Sequence, residues 1–149
     1  MTKPSASWCG PISGDGRRGC VSHALGTKPV TFDGIFVGLH LGGAVVVSGT
    51  NQPVSFGGKD GVTIAPGEWV WSDAVALPFA ADPEAPSLAG RKLAVSFHIA
   101  GESEPMTWHA KALQTSYVTA PGAGARGQDE GEAAFPSAPP LGSSSTRST

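Results

Sequence analysis

The chain has 149 residues, 40% hydrophobic and 15% charged, which is enough apolar material for one core and length for one domain. Ten Lys and Arg against twelve Asp and Glu give a net charge of −2, and the basic residues form no stripe, which argues against nucleic acid as a partner. Glycine at 21 and proline at 13 point to many turns and few helices, and the longest apolar stretch, around Gly43 to Val47, is far too short to span a membrane.

The first residues, MTKPSASWCGP, carry no apolar h-region. No signal peptide is expected, the chain as written is expected in the cytoplasm, and residues 1–11 are expected to be flexible or altered. Cys9 and Cys20 would pair in an exported protein and remain thiols in a reducing compartment. No Cys-x-x-Cys offers a zinc or redox framework.

Strand signals run from about Arg18 to Val118. In Val30 to Leu41, alternation puts Ile35, Val37 and Leu39 on one face and Gly38 and His40 on the other. Shorter runs follow at Ala44–Val47, Pro53–Phe56, Val62–Ala65 and Trp69–Trp71. Then Leu93, Val95, Phe97 and Ile99 alternate with Lys92, Ala94, Ser96 and His98, the period of a half-buried strand. A last run is expected at Leu113–Val118. Between the runs stand Gly42-Gly43, Ser48-Gly49-Thr50-Asn51, Gly57-Gly58-Lys59-Asp60-Gly61 and Pro66-Gly67, all turn chemistry. Phe79–Ala89, interrupted by Pro83 and Pro86, reads as a surface loop. The pattern predicts an all-β fold: an antiparallel sandwich, jelly-roll-like, over residues 12–120. Residues 121–149 have little to bury and are predicted to form a disordered tail.

Catalytic machinery is hard to assemble from this composition. His23, His40, His98 and His109 are far apart and show no metal-ligand spacing, so no metal or cofactor is expected. Ser72, Asp73 and His109 supply the ingredients of a triad on paper, but no Gly-x-Ser-x-Gly or Gly-Asp-Ser holds a nucleophile, so no catalytic residue is assigned. The Gly57–Gly61 run lacks the Walker spacing and the following helix, and is expected to be a hairpin turn. Trp69, Trp71 and Trp108 are the candidate ligand-binding residues, a sugar-stacking platform, with Trp69 and Trp71 on one strand face. Core packing is the commoner use of such rings.

Seven phrases occur in a fixed order: Val21-Ser22-His23-Ala24-Leu25-Gly26-Thr27-Lys28-Pro29-Val30, Pro53-Val54-Ser55-Phe56-Gly57-Gly58, Val62-Thr63-Ile64-Ala65-Pro66-Gly67, Trp71-Ser72-Asp73-Ala74-Val75, Leu93-Ala94-Val95-Ser96-Phe97, Thr107-Trp108-His109-Ala110 and Gln114-Thr115-Ser116-Tyr117-Val118. Over about residues 12 to 120 this series resembles the amino-terminal β-rich domain of bacterial, actinobacterial-type SGNH/GDSL hydrolases, commonly secreted. The resemblance implies a module ahead of a separate α/β domain that hydrolyses esters. That domain's Gly-Asp-Ser and Asp-x-x-His blocks are absent from this sequence, so no catalytic residue carries over.

Both ends depart from the family pattern. Arg18-Gly19-Cys20-Val21-Ser22 stands where the family reads more like Arg-Val-Arg-Val-Ser, and the strand before it is expected to be missing or scrambled. A back-translation of Ser137–Thr149 read in a shifted frame gives Ser-Thr-Thr-Ser-Trp-Phe-Phe-Leu-Asp-Ala-Val-Asp, which resembles the family's next strand. A broken reading frame from about residue 137 is therefore expected. A sandwich short of a strand exposes an edge, so marginal stability is expected with it. The leading functional expectation is a non-catalytic accessory domain or truncated fragment of an ester hydrolase, its partner a downstream hydrolase domain. The alternative is a stand-alone carbohydrate-binding sandwich with a glycan as ligand.

Overall fold

The computed structural model describes residues 5–7, 18–23, 27–77, 92–101, 117, 119, 122–131 and 133. The expected Phe79–Ala89 loop, most of the Leu113–Val118 run, Cys9, Trp108 and His109 lie outside them. Among the described residues eight strands form: β1 (Ser5–Ser7), β2 (Cys20–Ser22), β3 (Val30–Gly42), β4 (Val45–Val46), β5 (Gln52–Val54), β6 (Gly61–Ile64), β7 (Trp69–Trp71) and β8 (Leu93–Ile99). The fold is all-β and every strand pairing is antiparallel.

The 13-residue β3 is the spine of a five-stranded sheet. One edge takes β8, with Phe32 opposite Ile99 and Leu39 opposite Leu93. The other takes β6, β5 and β4 in turn, through the pairs Val30 with Ile64, Ile35 with Val54, and His40 with Val46. A strand this long stays flat only if nothing interrupts it, and Gly34 does. Asp33 pairs with His98 but Phe36 pairs with Ser96, which leaves one extra residue on β3. Gly34 adopts φ +61° there and donates its N–H to the Asp60 carbonyl at 3.2 Å, a bulge built on a glycine's freedom to adopt positive φ.

The bulge reverses the alternation. Val30 and Phe32 face inward before it, and Ile35, Val37 and Leu39 face inward after it, all buried. Val30, Phe32, Ile35 and Val37 form, with Val54, Phe56, Ile64, Val75 and Leu77, a core that also takes in Val21 of β2, packed further by Val70 of β7 and by Leu93, Val95, Phe97 and Ile99 of β8. Burying each such side chain contributes about 1.5–3 kcal/mol. Phe32 meets Phe97 edge to face, centroids 5.4 Å apart at 72°. All seven residues of β8 are half-buried, the expected outward ones included, so the alternation expected there is blurred.

Two described stretches carry little strand or packing signal in the sequence. Residues 122–131, inside the stretch expected to be disordered, strap across β3, β4 and the turn beyond. The Glu130 carbonyl accepts the Val46 N–H at 2.9 Å, its carboxylate accepts the Gly49 N–H at 3.0 Å, and the Asn51 side-chain amide donates to the Gly127 carbonyl at 2.9 Å. Small residues need no burial of their own to bind this way, because backbone carbonyls and the Glu130 carboxylate carry the bonds. At the other end, Ser5–Ser7 pairs antiparallel with β2. Backbone pairing again suffices where Ser-Ala-Ser gives no strand signal in the sequence.

Candidate functional site

β1, β2 and β7 form a second, three-stranded sheet in that order. Register determines its two faces, since residues directly opposite one another in an antiparallel pair share a face. The middle row is Ala6, Val21 and Val70, and Val21 and Val70 turn to the core. The flanking rows are Ser5, Ser22 and Trp69, and Ser7, Cys20 and Trp71. Trp69 is 61% exposed and Trp71 41% exposed, although indoles usually seek the interior. Their rings meet edge to face, centroids 6.1 Å apart and planes at 87°. The sequence placed them on one face, and the structure adds that this is the outer face. Trp108 lies outside the described residues.

The chain leaves β7 through Ser72 and Asp73, and both are committed to structure. Ser72 is buried; its hydroxyl accepts the Gly19 N–H at 2.8 Å and donates to the Asp73 carbonyl at 2.8 Å. A hydroxyl whose proton is already donated to a backbone carbonyl is poorly placed as a nucleophile. The Asp73 carboxylate holds the adjacent hairpin turn. It accepts Gly58 N–H at 2.8 Å, Gly57 N–H at 3.0 Å and the Ser55 hydroxyl at 3.0 Å. Those bonds, Gly58 first, hold its pKa below the ordinary 3.8. The turn itself closes through Phe56 and Lys59, with φ of +59° and +77° at Gly57 and Gly58, the backbone of a two-residue type I′ hairpin. Sequence reasoning weighed Asp73 as a triad member; no local signal ties it to a turn 15 residues away.

The described histidines are dispersed. His23 is buried and donates Nε2–H to the Lys28 carbonyl at 2.6 Å, while its backbone bonds the turn at Ala65–Glu68. His40 donates to the Gly43 carbonyl at 2.9 Å, and His98 lies 3.9 Å from the Asp33 carboxylate. Among the described residues no three His, Cys, Asp or Glu gather as metal ligands, and no helix is long and apolar enough to cross a membrane. A cavity of about 10 Å³ sits between the sheets, lined by Val21, Phe32, Ile35, Val54 and Phe97 among others. It is at the lower limit for one water, and its apolar walls offer that water few partners. Among the described residues, the outer face of the small sheet is the candidate site.

No family model, curated protein or solved structure matches the chain.

Proposed function

We propose that this chain is a non-catalytic β-sandwich module that binds carbohydrate on the outer face of its small sheet, through Trp69 and Trp71. The observation that carries this reading is their joint exposure beside Ser22. Two large apolar rings held in water cost stability unless something covers them, and sugars offer flat C–H faces rimmed by hydroxyls. The hydrogen-bonded hydroxyl of Ser72 argues against that residue as a nucleophile. Retention on insoluble neutral polysaccharides tests the reading. The wild-type chain is expected to be retained and a Trp69→Ala/Trp71→Ala double variant to pass through. Equal passage of both would contradict it.

The second reading, favoured by the ordered phrases between about residues 12 and 120, sets this module ahead of an SGNH/GDSL-type ester hydrolase domain, where it would hold polymer near the active site. In that reading a jelly-roll-like sandwich is the fold. Sequencing the DNA beyond the codon for Thr149 tests it. A shifted frame leading to a Gly-Asp-Ser block supports the hydrolase context, and its absence leaves the binding module alone.

A further inference from the structure

The outer face also bears on what kind of carbohydrate it takes. Successive outward residues on a strand are about 6.6–6.8 Å apart, so two indoles lying flat would form a strip able to stack consecutive sugars of a chain. Trp69 and Trp71 do not lie flat together: at 87°, one ring stands as a wall beside the other. Directly opposite them in register are Ser22 and Cys20, and beyond these Ser5 and Ser7. None of these six positions carries a formal charge. A charged ligand finds no counter-charge in these rows, and among the described residues of these rows no further aromatic ring extends the platform.

We infer that the corner between Trp69 and Trp71 binds a single neutral pyranose unit of a glycan, one sugar face on one indole and its edge against the other, with the Ser22 hydroxyl as the adjacent hydrogen-bonding group. This rests on the carbohydrate-binding reading and adds the size and charge of the ligand. The site is a one-ring subsite, and affinity is set by that ring.

The test is calorimetric titration of the full chain with three neutral homo-oligomer series, of glucose, xylose and N-acetylglucosamine, each from one to six units. Trp69→Ala and Trp71→Ala are titrated in parallel, and circular dichroism and thermal melting check that each remains folded. Expected is binding to at least one series, with affinity changing by less than about threefold from the disaccharide to the hexasaccharide and falling about tenfold or more in either variant. Affinity that climbs with each added unit, or loss in only one variant, would overturn the one-ring corner while leaving carbohydrate binding standing. No binding to any of the three series would overturn both. Binding of a uronic-acid oligomer as tight as that of its neutral counterpart would overturn the neutral-ligand half of the inference.

Discussion

Phe32 and Ile35 lie three residues apart on one strand, yet both side chains face the core, because the bulge at Gly34 inserts one residue between them. In a regular strand, residues three apart face opposite sides. A Cβ at Gly34 would meet only ordinary contacts, Ala125 Cβ at 3.6 Å and the Phe36 ring at 3.8 Å, so the cost of a side chain there is that of a left-handed backbone. Gly34→Ala is expected to lose about 1–2 kcal/mol in urea unfolding. Deleting Gly34 would leave Phe32 and Ile35 two residues apart, on one face of a regular strand, and is expected to keep the cooperative transition while losing the bond from Gly34 to Asp60.

Phe32 itself is 1% exposed and stacks edge to face on Phe97. Phe32→Ala is expected to lose about 3–5 kcal/mol, enough to unfold a domain of marginal stability, with chemical denaturation as the measurement.

The 122–131 strap depends on a close approach. A Cβ on Gly127 would come within 2.7 Å of the Phe36 ring and 2.9 Å of the Gly34 carbonyl, and that carbonyl, being backbone, cannot yield cheaply. Gly127→Ala is expected to cost about 1–3 kcal/mol and to speed hydrogen exchange at Val46 and Gly49, whose N–H groups bond to Glu130. Unchanged exchange at both amides would mean that the strap does not act as one unit.

Asp73 gives the fold an acid sensitivity. Its folded pKa is held below 3.8, so its bonds to Gly58, Gly57 and Ser55 stabilise the fold above that value. As pH falls from 3.8 through the lower folded pKa, the carboxylate takes up a proton and that contribution is lost. Asp73→Asn is expected to be less stable than wild type at neutral pH, with the gap narrowing below pH 3.8. Melting temperatures of the two proteins across that range give the comparison.

Ser72→Ala separates structure from chemistry. It removes the acceptor of the Gly19 N–H and is expected to cost about 1–3 kcal/mol. Hydrolysis of a short activated ester is expected to be at background for wild type and variant alike; a wild-type rate that the substitution abolishes would assign Ser72 a catalytic role.

Much of this fold is legible in the sequence where side chains report it. The alternation of Ile35, Val37 and Leu39 is visible because those residues are buried, and the turn at Gly57-Gly58 because its backbone demands glycine. The reversal at Gly34 is not, since a single glycine in a strand signals either a bulge or a weak point. The strap escapes composition because its bonds are made by backbone groups and by Glu130 and Asn51, whose partners are remote in sequence. At the candidate site, Trp69 and Trp71 could be placed on one face, but which face was out depended on Val21 and Val70 pairing as the core row, a relation across 49 residues.

The measurement that bears most directly on the central claim is indole fluorescence of a Trp8→Phe/Trp108→Phe chain, in which Trp69 and Trp71 are the remaining tryptophans. Titration with neutral oligosaccharides is expected to shift their emission to the blue and to protect them from an aqueous quencher, as exposed rings become covered. Emission and quenching that stay unchanged up to saturating sugar would contradict carbohydrate binding at this face.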